Sequence, residues 1–136
     1  MATNSPDPAI ETPGDLGDEL VSFVRYLKAE NVSPATVQAY GGAVVTFGRW
    51  CLAERRPTDL PRITKAQVED WIGSILESGR KPTTAHQRFR GLQRFFNWYA
   101  EVDAAFASPM MGMRAPRLPP LSPRIFGLDE ISEIIA

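Results

Sequence analysis

The sequence predicts an all-α protein: a bundle of four main helices over residues 15–107, followed by an extended Pro-rich segment. Three observations predict it. Apolar residues recur at three- and four-residue spacing through most of the chain, with no alternating run of strand length. Helix-start signals stand at Asp15, Ser33-Pro34, Thr64 and Pro82 to Thr84. After Ser108, Pro109, Pro116, Pro119, Pro120 and Pro123 break every periodic pattern.

Residues 1–14 carry three prolines and little apolar material, the composition of a disordered acidic tail. Asp15 is a good N-cap, and Leu16, Leu20, Phe23, Val24 and Leu27 make the apolar stripe of a first helix that ends at Asn31-Val32. Ser33-Pro34 joins a hydroxyl cap to a proline at the first helical position. The second helix then runs to about Arg55, with Val37, Tyr40, Val44, Phe47 and Cys51 on one face. Gly41-Gly42 in its middle costs roughly 1 kcal/mol per glycine relative to alanine, so either a neighbouring helix packs very close there or the backbone bends. Pro57 to Pro61 is a loop. Thr64 and Gln67 have capping-box spacing and open a third helix carrying Val68, Trp71, Ile72, Ile75 and Leu76, which stops near Gly79. Pro82 to Thr84 opens the fourth, with Thr84 and Gln87 as a second capping box. It continues to about Val102, with a short extra helical turn expected around Asp103 to Phe106. Residues 108–127 are expected as a proline-stiffened linker. Residues 128–136, with Ile131, Ile134 and Ile135 on one face, are expected to begin a second domain that would follow.

The chain of 136 residues can hold one ordinary domain plus tails. No apolar run approaches the ~20 residues of a membrane span. The polar, acidic start is unlike a basic-then-apolar secretion signal. The single cysteine, Cys51, has no internal disulfide partner and reads as a small core filler on its apolar stripe. These features fit a cytoplasmic protein. The net charge of −1 argues against a nucleic-acid binder until its distribution is read. Residues 1–20 hold five acids and no base, whereas residues 21–118 hold fourteen bases and eight acids. Within 80–117, seven bases face only Glu101 and Asp103.

The motifs of common chemistry are missing. There is one histidine, His86, far in sequence from Cys51, and no C-x-x-C or H-E-x-x-H spacing. Neither a phosphate-binding G-x-x-x-x-G-K-[ST] loop nor a G-x-S-x-G elbow occurs. Glu69-Asp70 and Asp129-Glu130 are adjacent on helices and point in different directions, as solvated charge does. Tyr40 and Tyr99 read as core, Tyr26 as surface or interface. No catalytic residue, cofactor or metal is expected for this chain.

The fourth helix carries the functional signal. Ala85, Phe89, Leu92, Phe96 and Tyr99 align on one face, and Thr83, Gln87, Arg90 and Arg94 fall opposite. Duplex DNA attracts Lys and Arg through counterion release, helix N-termini and hydroxyls bind single phosphates, and bidentate Arg, Gln or Asn groups discriminate bases. Lys81, Thr83, Thr84, Gln87, Arg88, Arg90 and Arg94 supply all three kinds on the fourth helix. Thr36, Gln38 and Arg49 add to them from the second. His86 is placed to meet a phosphate or solvent. The pattern also suits arginines that merely solvate a surface, a stem of Arg88 that covers the core, or a basic helix that docks on an acidic protein or membrane. A helical protein-interaction module and a non-catalytic DNA-binding regulator are therefore alternatives.

Several segments stand in order along the chain: Phe23-Val24-Arg25-Tyr26-Leu27 ahead of Ser33-Pro34-Ala35-Thr36-Val37-Gln38-Ala39-Tyr40; Phe47 with Trp50-Cys51-Leu52; Ile63-Thr64 before Val68 and Trp71-Ile72; and Thr84, Arg88, Leu92, Arg94, Phe95-Phe96 and Trp98-Tyr99. Together they resemble the N-terminal core-binding domain of tyrosine site-specific recombinases, the phage integrase and Xer-like family. Ser108-Pro109 and Leu128-Asp129-Glu130-Ile131 then resemble the interdomain linker and the first helix of the catalytic domain. The resemblance covers about residues 17–136. It implies a SAM-like orthogonal four-helix bundle that lays its second and fourth helices toward the major groove, as half of a clamp on a recombination site. It further implies a separate catalytic domain with a tyrosine nucleophile, tetramers of protomers on paired sites, double-stranded DNA as partner, and no metal or nucleotide cofactor. By position it places DNA contacts on Thr36, Thr84, Arg88 and Arg94. The family's basic residues after the tyrosine of the second helix are replaced here by Gly41-Gly42, and the acidic tail is unlike it.

Overall fold

The computed structural model describes residues 15–118. The expected tail (1–14), the later part of the linker and the helix of residues 128–136 lie outside the described residues. Four helices follow in order: α1 (Leu16–Ala29), α2 (Pro34–Ala53), α3 (Lys65–Glu77) and α4 (Pro82–Val102), with a short 3-10 turn at Leu60–Arg62 before α3. No strand forms among the described residues beyond an isolated bridge between Asp15 and Asp59. The all-helical expectation holds.

Each start has a local cause. The Asp15 carboxylate accepts the Gly17 N–H at 3.0 Å, and its other oxygen accepts the Thr58 hydroxyl at 2.6 Å. Leu16 N–H donates to the Thr58 carbonyl at 3.1 Å, so the start of α1 is pinned to the loop before α3. Ser33 Oγ accepts the Thr36 N–H, and Pro34 opens α2. Thr64 Oγ accepts the Gln67 N–H. Only half of that capping box forms, because the Gln67 amide turns inward and donates to the Pro57 carbonyl at 2.7 Å and to Cys51 Sγ at 3.1 Å. The second expected box, Thr84 with Gln87, does not form. Proline at Pro82 has its φ preset and lacks an N–H, so α4 starts there, Lys81 is its N-cap without a side-chain cap bond, and Thr84 falls inside the first turn.

Asn31 (φ 60°) and Arg55 (φ 57°) close α1 and α2 in the left-handed conformation. Val32 N–H reaches back to the Leu27 carbonyl and Arg56 N–H to that of Cys51, the bonds of a Schellman ending.

α4 is the centre of the bundle. Its most extensive packing is against α2, and α1 and α3 also meet it. Ala85, Phe89, Leu92, Phe96 and Tyr99 are buried as expected, but so are Gly91, Phe95 and Trp98, which makes the buried face far wider than one stripe. Phe95 meets Phe23 of α1 edge-on at 5.2 Å, and Trp98 lies 5.5 Å from the same ring. On the other side Tyr99 and Phe96 hold Phe106 at 4.9 and 6.0 Å. Residues Asp103 to Phe106 form a turn rather than a helix, closed by the Phe106 N–H on the Asp103 carbonyl.

The close approach anticipated at Gly41-Gly42 is elsewhere. A Cβ on Gly41 would make ordinary contact with Val24, and one on Gly42 would meet nothing within 4 Å. A Cβ on Gly91 would lie 2.7 Å from Ala43 Cβ and 3.3 Å from Tyr40 Cα. Nor is the segment after Ser108 simply extended. Met110 is 2 % exposed, Met113 and Ala115 pack on the core, and two turns close at Met111 and Met113. Burial of these apolar side chains outweighs the extending bias of the prolines there.

Two glycines therefore predict opposite signs. Gly42→Ala raises stability by about 1 kcal/mol, since it improves helix propensity in open space. Gly91→Ala lowers it by about 1–3 kcal/mol through overpacking. Phe96→Ala, at a ring with no exposed surface, costs about 3–5 kcal/mol. Urea unfolding of the three variants checks the order.

Candidate nucleic-acid interface

Because the interior claims so much of α4, what remains outside is a narrow strip. Thr83, Gln87, Arg90, Asn97 and Glu101 are exposed, and Arg94 is half-buried between them. These positions recur at three- and four-residue spacing, so they lie along one line of the helix. From Thr83 to Arg94 the line runs ~16 Å at the α-helical rise. Thr84 and Arg88, one turn apart and half-buried, form a second row beside it. Lys81 is exposed at the start.

The charge of this strip is not neutralised by the bundle. Among the described residues the ion pairs are Arg56 with Asp70 at 2.8 Å and Arg62 with Asp59 at 3.8 Å, and neither involves α4. Arg90 makes one long contact, 3.4 Å to the side-chain Oε1 of Gln93 on the same helix. Arg94 lies over the Tyr26 ring, 5.4 Å from its centroid, and donates to the Tyr26 hydroxyl at 3.4 Å. Neither arginine is packed inside.

The three α2 residues do not gather in the same place. Thr36 follows the side of α2 that carries Tyr40 and Ala43, the residues that meet Gly91 of α4. Its hydroxyl is engaged in the cap, accepting from Ser33 Oγ at 2.9 Å. Gln38 and Arg49, three turns apart, both face the groove between α1 and α2. Gln38 borders it beside Val24 and Gly41, and Arg49 beside Leu16 and Leu52. The structure thus groups Thr83, Gln87, Arg90 and Arg94, with Lys81, Thr84 and Arg88 adjacent, and sets Gln38 and Arg49 apart. Asn97 extends the line by one turn. Its amide is legible in the sequence from the i+3 spacing after Arg94. Tyr26 is the residue that spacing alone could not connect to the strip, since it comes from α1.

Among the described residues no group of His, Cys, Asp or Glu is arranged to hold a metal ion, and no helix is long and apolar enough to cross a membrane. Burial pushes the Cys51 thiol up to about 11 despite the Gln67 hydrogen bond and nearby Arg56. Burial, with Glu19 and Asp103 close by, also raises the Tyr99 phenol. Both are turned away from nucleophilic roles.

Comparison with known proteins gives a consistent picture. The family model described as phage integrase, N-terminal SAM-like domain, matches residues 20–105. The chain is 24% identical over 127 residues to tyrosine recombinase XerC of Proteus mirabilis, covering 93% of this chain and 41% of that protein. It is 27% identical over 117 residues to tyrosine recombinase XerC of Myxococcus xanthus, covering 85% and 38%. With tyrosine recombinase XerD of Bifidobacterium longum it shares 24% over 114 residues, covering 83% and 37%. The chain therefore spans about two fifths of the length of these relatives. No solved structure matches it significantly.

The titrating groups set an alkaline limit on stability. A thiol raised from 9.0 to about 11 on folding stabilises the fold fully below pH 9, and that contribution is lost as pH rises through 11. Tyr99 acts in the same direction. Stability measured by urea titration therefore falls between pH 9 and 11, and Cys51→Ala flattens part of that fall.

Proposed function

The chain belongs to the family of phage integrase N-terminal SAM-like domains, and from that premise we propose that it is the DNA-binding, core-binding domain of a tyrosine recombinase. It holds duplex DNA at a recombination site, and strand cleavage and rejoining are performed by a catalytic domain in the rest of the parent protein. The observation that carries this reading is the arginine and amide strip of α4, whose arginines pair with no carboxylate among the described residues and which is mounted on a helix largely buried on its other sides.

Its mechanism follows from the geometry. Arg90 and Arg94 offer planar donor forks, and Thr83 and Gln87 add short polar groups along the same ~16 Å line, about five base-pair steps of axis. Lys81 and the start of α4, free of a side-chain cap, place positive charge and helix-dipole potential at one end. Phosphate contacts orient the domain, and Gln87 with the arginines is positioned to read base edges. Thr36, Thr84 and Arg88 flank this strip. Gln38 and Arg49 contact DNA only if the duplex also crosses the α1–α2 groove. In the whole protein a second domain closes the clamp, protomers assemble in fours on paired sites, and the work is done in the cytoplasm without a metal or nucleotide cofactor. The length of the relatives supports a further domain. The α1–α2 groove, lined by Leu20, Val44 and exposed Leu52, favours protein interaction as the second reading.

Fluorescence anisotropy with a labelled duplex separates the two. Binding to DNA falls steeply with salt, and Lys81→Ala and Arg90→Ala each reduce the slope of log affinity against log salt by about 1, with helicity unchanged. Binding that is absent at low salt, or independent of salt, refutes the proposal.

A further inference from the structure

Arg94 is the one basic residue of the strip that another helix holds. Its guanidinium carbon lies 5.4 Å from the centre of the Tyr26 ring, and one terminal nitrogen reaches the Tyr26 hydroxyl at 3.4 Å. The ring is itself fixed, because it packs 6.0 Å from Trp98, which is buried against Phe23 and Phe95. A chain of aromatic contacts therefore leads from the core of the bundle to one surface charge.

The domain contains a second guanidinium on a ring, and it shows what such an arrangement does. Arg56 lies 5.1 Å from the centre of Trp50 and pairs with the Asp70 carboxylate at 2.8 Å. The guanidinium carbon sits over the ring, and a terminal nitrogen meets an anion. Arg94 has the ring and, among the described residues, no carboxylate. Of its five N–H donors the hydroxyl engages one, and the remainder are left for an oxyanion.

We infer that Tyr26 is a positioning residue for DNA: its ring and hydroxyl hold the Arg94 guanidinium in place beside α4, so that a backbone phosphate takes the place that Asp70 occupies on Arg56. This rests on the DNA-binding reading above. A long arginine otherwise loses much rotamer freedom when it engages a phosphate, and a guanidinium already held in place loses less. The ring contributes more than the oxygen, because a 3.4 Å contact is at the long limit for a hydrogen bond.

The test is a double-mutant cycle on a fluorescein-labelled random-sequence duplex at low ionic strength. Tyr26→Leu keeps apolar bulk against Trp98 and removes the π face, and Tyr26→Phe keeps the face and removes the oxygen. Tyr26→Leu weakens binding about three- to tenfold, whereas Tyr26→Phe stays within about threefold of wild type. Tyr26→Leu added to Arg94→Ala has no further effect, while added to Arg90→Ala it multiplies. Thermal melts confirm that each variant is folded. The inference is overturned if Tyr26→Leu binds as wild type, if its effect multiplies with that of Arg94→Ala, or if Arg94→Ala is silent while Arg90→Ala weakens binding; in each of these the DNA reading survives. Wild-type protein that does not bind the duplex overturns both.

Discussion

At Gly91 two helix backbones come so close that no side chain fits between them. A Cβ there would stand 2.7 Å from Ala43. That contact sets α4 against the middle of α2, and the placement of every aromatic on α4 follows from it. Phe95 and Trp98 turn toward Phe23 of α1, while Phe96 and Tyr99 turn toward Phe106. With those directions taken, only one line of α4 is left for solvent, and the arginines stand on it. Fold and surface chemistry are two sides of one packing constraint.

Local signals were the most legible part of the chain. Ser33-Pro34 and Thr64 start helices where their chemistry says they should, because a cap acts within three residues. Long-range pairing was less legible. Two adjacent glycines make Gly41-Gly42 a candidate for a close approach or a bend, yet the tight contact belongs to lone Gly91, whose partner is 48 residues away in sequence. A single apolar stripe accounted for Phe89, Leu92 and Phe96 but not for Phe95 and Trp98, since periodicity describes a helix with one buried side and α4 is covered on several. Gln67 carried a capping-box signature and was drawn instead into the core by the Pro57 carbonyl and the Cys51 sulfur.

The site was legible by helix and not by assembly. Thr83, Gln87, Arg90 and Arg94 share a line because their spacing alone dictates it. Gln38 and Arg49 have suitable chemistry, but their direction depends on which side of α2 faces α1, and no local signal encodes that. Tyr26 is the converse case. It falls off the α1 stripe and reads as surface or interface, and only the packing of α1 on α4 gives its ring a partner.

The overall charge of the chain is a poor guide to the charge of the α4 strip because acids and bases do different work. Asp15 is 1 % exposed and serves as a cap and a loop anchor. Asp70 and Asp59 are matched to Arg56 and Arg62 within the bundle. These acids enter the net charge of −1 with full weight, yet they add little to the field above α4. Screening confines each exposed charge to about 10 Å at ordinary ionic strength, so a partner approaching the strip meets Lys81, Arg90 and Arg94 before it meets the average. A local excess of uncompensated arginine on a rigid helix is the quantity that governs encounter with a polyanion, and a nearly neutral total leaves it intact.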